Sequence, residues 1–92
     1  MKIIRLKLRF TGRVQGVGFR YTATNIANQL GLTGWVYNEI DGSVLMEVQG
    51  RTSLIEELIQ RLENGTFIQI DNIEKTTLPL LSHETVFEEK PW

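Results

Sequence analysis

From Ile3 to Phe10 the chain alternates without a break: Ile4, Leu6, Leu8 and Phe10 fall on one side, Arg5, Lys7 and Arg9 on the other. A period of two with one apolar side belongs to a strand buried on one face. Further on the period lengthens. Ala23, Ile26, Ala27 and Leu30 stand at i, i+3, i+4 and i+7, the stripe of an amphipathic helix, and Gly31 supplies its stop. "LTGWVYNE" returns to a strand, Asp41-Gly42 marks a tight reversal, and "SVLMEVQG" reads as the hairpin partner, with Val44, Met46 and Val48 on one face. A second helix is expected from Thr52 or Ser53, with Ser53 and Glu56 at capping-box spacing. Its apolar stripe is Leu54, Ile55, Leu58, Ile59 and Leu62, and Asn64-Gly65 ends it. Phe67, Ile68, Ile70 and Ile73 are assigned to a fourth strand running toward Leu78, where Pro79 interrupts it. Val86-Phe87 is left for a short edge strand.

The order β-α-β-β-α-β predicts an α+β, ferredoxin-like sandwich: a four-stranded antiparallel sheet with two helices on one face, plus the short fifth edge strand. Right-handed crossovers set the first and third strands side by side in the centre. The 92 residues suit one domain, 1–92, and show no repeat, linker or low-complexity run. Such a fold hosts many functions and names none.

Composition narrows the classes. There is no cysteine, which excludes disulfides, thiolate metal sites and a cysteine nucleophile, and which fits a reducing cytoplasm. A net charge of -1, from 10 basic and 11 acidic residues, argues against a generic nucleic-acid binder. Arg5, Lys7 and Arg9 break up the N-terminal apolar run, so no signal-peptide core forms, and no stretch is long enough to span a membrane. A cytoplasmic monomer is expected, with a small-molecule substrate, no cofactor, no metal, and neither nucleic acid nor membrane as partner.

The chemistry concentrates in residues 12–20, "GRVQGVGFR". The connection between strand and helix reads as about eight residues, Gly12 through Phe19, more than the usual two to six. Gly16 and Gly18 are free to take positive φ and turn successive N–H groups toward one point. The helix start adds its unpaired N–H groups and positive dipole end, and Arg20 offers a planar fork to two phosphate oxygens. Read alone, the stretch fits an ordinary glycine-rich surface turn as well. It is neither a nucleotide P-loop, lacking Gly-Lys-Ser/Thr, nor a dinucleotide fingerprint, lacking a third glycine after Gly16-Val17-Gly18. "GVGFRY" faintly echoes the RNA-recognition-motif signature, but lies between strand and helix rather than on a sheet strand. His83 is the one histidine and falls in the tail; Glu56-Glu57 and Glu88-Glu89 read as solvated charge. Asn25 and Asn28 read as solvated or structural, and Trp35 and Tyr37 share a strand face where they either wall a site or pack.

Together, "GRVQGVGFRY" and "LGLTGWVYNEIDGSV" resemble the acylphosphatase family, the first as its signature and the second as its strand-turn-strand segment with an asparagine in the expected place. The likeness is by motif over residues 8 to 50 and by pattern alone over the second helix. It implies hydrolysis of acyl phosphates to a carboxylate and inorganic phosphate. It further implies that backbone N–H groups of Gln15, Gly16, Val17, Gly18 and Phe19 hold the phosphate together with Arg20, while Asn38 orients the attacking water. That chemistry needs little machinery. The leaving carboxylate has a conjugate acid of pKa about 4 and departs unprotonated, so gathered positive charge and one placed water suffice. Three features depart from the family pattern. Tyr37 stands where a basic residue is common, Glu39 brings negative charge beside Asn38, and "TVFEEKPW" lacks the aromatic-x-aliphatic-arginine close. The last strand is therefore expected to be short or the tail mobile, with no inference about contact between tail and Arg20. The rival reading is a non-catalytic anion-binding or regulatory module on the same fold; the chain's own initiator Met favours a free-standing enzyme.

Overall fold

The computed structural model describes residues 2–91. In chain order the elements are β1 (Ile3–Arg13), α1 (Phe19–Gln29), β2 (Thr33–Asn38), β3 (Val44–Arg51), α2 (Thr52–Glu63), β4 (Gln69–Leu78) and β5 (Phe87–Glu89). The strands form one sheet in the order β4-β1-β3-β2-β5. β1 and β3 lie together in the centre, as the crossover rule requires. All pairings are antiparallel except the last, where β5 runs parallel to β2. The fold is the expected α+β sandwich with its fifth edge strand in place, shifted to Phe87–Glu89.

Register decides which residues meet the helices. Leu6 opposes Val48, Leu8 opposes Met46 and Phe10 opposes Val44, so these six share a face. Onto that face α1 sets Phe19, Ala23, Ile26 and Ala27, and α2 sets Ile55, Leu58, Ile59 and Leu62. They form one apolar cluster with Val14, Val36 and Phe87. A leucine truncated to alanine there, such as Leu8, costs about 2–5 kcal/mol. On β2 the same register turns Gly34, Val36 and Asn38 toward the helices, and Trp35 and Tyr37 toward the opposite, open face. No helix among the described residues is long and apolar enough to cross a membrane.

Three local expectations are corrected. The strand-to-helix connection is Val14 to Gly18, an ordinary length, because β1 continues to Arg13 through a register shift at Thr11/Gly12 against β4. The capping box does not form. β3 runs straight into α2, so extended Arg51 is the N-cap, without a side-chain cap bond, and Ser53 already lies inside the first turn. There the Thr52 N–H donates instead to the Lys2 carbonyl at 3.2 Å. Finally β4 starts at Gln69, and Phe67 stands before it at 71% exposure while Ile68 is buried.

β4 and β5 lie at opposite edges, so residues 79–86 must travel across the sheet, and they do so over the open face. Arg5, pointing to that face, is only 1% exposed. Its guanidinium donates to both Glu84 oxygens (2.7 and 3.2 Å), to Glu47 (3.0 Å) and to Gln49 (3.3 Å). The hydrogen bonds that it donates to Glu84 hold its pKa above the ordinary arginine value despite burial. Gln49 in turn pairs with the Leu81 backbone, donating to its carbonyl at 2.8 Å and accepting from its N–H at 2.9 Å. At the far end Asn28 does the same for Phe87, with bonds of 3.2 and 3.0 Å, and the Lys90 N–H reaches the Val36 carbonyl at 2.8 Å.

Candidate active site

The connection from β1 to α1 bends twice into left-handed backbone, at Gly16 (φ 73°) and Gly18 (φ 78°). Glycine takes that conformation without the strain other residues meet there. Gly18 is the N-cap of α1; it makes no side-chain cap bond, and the first turn carries no acidic residue. The first helical bond runs from the Thr22 N–H to the Gly18 carbonyl. The N–H groups ahead of it have no intrahelical partner and stand at the positive end of the helix dipole.

This helix end opens on a cavity of about 140 Å³. Gly16, Gly18 and Phe19 line it from the loop and helix start, Arg20 and Tyr21 from the first turn, Asn38 from the end of β2, and Glu89 from β5, with Val14 completing the wall. Arg20 and Asn38, far apart in sequence, are therefore brought to one space. Asn38 reaches it because it ends β2 on the helix-facing side. Of the loop residues, Val17 packs against the apolar core instead. Gln15 braces the loop: its Nε2 donates to the Glu39 carbonyl at 2.7 Å and the Ser43 carbonyl at 2.9 Å, tying the loop to the β2–β3 turn. That turn is itself fixed by Asp41, which accepts from the Ser43 hydroxyl (2.7 Å), the Ser43 N–H (2.9 Å) and Arg9 (2.8 Å). The Ser43 bonds, ahead of Arg9, lower the Asp41 carboxyl from 3.8 to about 2.

Charge is distributed otherwise than the sequence suggests. Glu39 sits 3.8 Å from Arg9 and accepts a hydrogen bond from Tyr37, whose phenol is pushed above its ordinary pKa by that bond. Tyr37 stacks with Trp35 at 5.4 Å on the open face, so neither aromatic walls the cavity. The carboxylate that does face Arg20 is Glu89, its Oε2 4.0 Å from Nε, while Nη1 donates to the Lys90 carbonyl at 2.6 Å. Sequence reading missed Glu89, Lys90 and Tyr21. Nothing local marks Glu89 or Lys90, whose place follows from the pairing of β5 with β2; Tyr21 had a weak signal, one position after Arg20 at the helix start. Among the described residues no group of three or more His, Asp or Glu side chains is arranged to hold a metal ion.

Comparison with known proteins bears on this arrangement. The family model described as acylphosphatase matches residues 6–89. An acylphosphatase of Salinibacter ruber is 51% identical over 61 residues, 66% of this chain and 64% of that protein, so the chain spans just under two thirds of that relative's length. One of Oceanobacillus iheyensis is 38% identical across 92% of this chain and 96% of its own. Among solved structures, the acylphosphatase from Bacillus subtilis superposes with a TM-score of 0.86 at 30% identity, covering 97% of this chain and 99% of that one. Motif, fold and near-complete family match agree, and the chain belongs to the acylphosphatase family.

Proposed function

We propose that the protein, acting as a single domain, hydrolyses the carboxyl-phosphate bond of acyl phosphates. One observation carries the reading: the uncapped start of α1, the Arg20 guanidinium and the Asn38 carboxamide meet at a single small cavity. The phosphoryl group lies in the loop, its oxygens taking hydrogen bonds from the backbone N–H groups of Gln15, Gly16, Val17, Gly18 and Phe19 and from Arg20. These donors gather the charge that builds on the oxygens in the transition state. Asn38 accepts a hydrogen bond from the attacking water through Oδ1 and donates to a phosphoryl oxygen through Nδ2. As the water oxygen bonds to phosphorus, the bridging P–O bond breaks and its electron pair leaves with the carboxylate. The proton shed by the water passes to a phosphoryl oxygen, and the products are a carboxylate and dihydrogen phosphate. No group in the site has to protonate the leaving carboxylate.

Phosphate release from benzoyl phosphate, measured with a chelator present, tests the reading. Wild-type turnover is expected, with Arg20→Ala and Asn38→Ala each losing at least a hundredfold in kcat, about 3 kcal/mol, the scale of one lost transition-state donor. Circular dichroism checks that both variants fold. A folded wild type that binds phosphate without turnover would leave the cavity as an anion-binding module.

A further inference from the structure

We propose that Glu89 makes the site selective for acyl phosphates whose acyl group carries no negative charge; this rests on the reading of the site as an acyl phosphate hydrolase. A cavity of about 150 Å³ holds a single benzene ring, so one of about 140 Å³ accommodates a phosphate group but not a sizeable acyl group as well. The acyl group must therefore lie at the rim. Two side chains of the wall are open to solvent there: Tyr21, at 68% exposure, and Glu89, at 37%. Tyr21 presents an aromatic face, which suits an apolar or a cationic group. Glu89 presents a carboxylate. Among the described residues Arg20 is the one cation lining the cavity, and it is engaged by the Lys90 carbonyl, by Glu89 and by the phosphate of the proposed complex. The lining thus offers no second cation to a second negative charge. Glu39 does not contribute to this repulsion, because Arg9 and Tyr37 hold it on the open face.

A carboxylate on the acyl chain comes within several ångströms of Glu89 across a half-solvated gap, and Coulomb repulsion there disfavours it by about five- to tenfold. The phosphate itself is also repelled, but equally for every substrate, so the ratio between two substrates isolates the acyl charge. The test compares kcat/KM for butyryl phosphate and succinyl phosphate, which have the same chain length and differ by a terminal carboxylate, in wild type, Glu89→Gln and Glu89→Lys. Wild type is expected to prefer butyryl phosphate. Glu89→Gln should narrow the ratio about five- to tenfold, Glu89→Lys should carry it further toward succinyl phosphate, and the wild-type ratio should shrink in high salt. An unchanged ratio in both variants overturns the proposal. So does an equal gain for both substrates accompanied by tighter binding of inorganic phosphate, which would make Glu89 only a competitor for Arg20. A folded wild type that hydrolyses neither substrate sinks the hydrolase reading itself.

Discussion

Gln15 joins two parts of the site that have no covalent reason to stay in register. Its amide bonds to the carbonyls of Glu39 and Ser43 fix the glycine loop against the turn that begins just after Asn38. Gln15→Ala is expected to cost about 1–2 kcal/mol in urea unfolding, the net worth of such bonds. Its kcat should fall more than its affinity for phosphate, because the water, not the anion, loses its placement. Asp41 gives a pH signature. Its folded pKa is about 2 against an ordinary 3.8. A lowered carboxyl pKa means that the added stability is complete above about pH 4 and is lost as pH falls through about 2. An NMR titration should place Asp41 near 2, and Ser43→Ala should move it back toward the ordinary value. At this scale legibility was uneven. Arg20 and Asn38 stood inside local motifs, whereas Glu89 looked like tail charge, its meaning set by a strand pairing some fifty residues away.

β5 is the element on which the site leans most for its size. Only Phe87–Glu89 form it, yet it supplies a buried aromatic, the acidic wall residue and, one position on, the acceptor for Arg20. Asn28 holds it to α1 by two backbone bonds. Asn28→Ala should cost about 1–3 kcal/mol, the range for two hydrogen bonds of which one leaves a buried N–H unmet. Amide exchange should quicken across β5 in this variant, and turnover should drop through loss of alignment at Arg20 although neither Arg20 nor Asn38 is touched. Elements with a clean period were readable from the pattern: β1 by its strict alternation, α1 and α2 by their stripes. What failed were the junctions. A bulge that lengthens β1, a strand that passes directly into α2, and an apolar pair at Phe67-Ile68 that belongs to no strand all depend on neighbours outside the local window.

Across the whole molecule, Arg5 is where the two edges of the sheet are tied together. Removing it leaves Glu47 and Glu84 facing each other without their shared cation. Breaking a buried pair from one side typically costs about 3–5 kcal/mol, and Arg5→Ala should show a loss of that order in thermal unfolding. Arg5→Met together with Glu84→Leu should recover much of it. From sequence, Arg5 was simply the polar side of an alternating strand; only the crossing of residues 79–86 makes it interior. That crossing also orders events in time. Leu81 and Glu84 are received by Gln49 and Arg5, which lie on adjacent strands, so the segment has nothing to settle on until β1 and β3 have paired over a long stretch of chain. Contacts so distant in sequence form slowly, and the Lys90 carbonyl reaches Arg20 after them. Refolding followed by fluorescence in a Trp92→Phe variant, which leaves Trp35 as the fluorescent tryptophan, should therefore run ahead of regained turnover, the lag between the two being the time the last strand takes to dock.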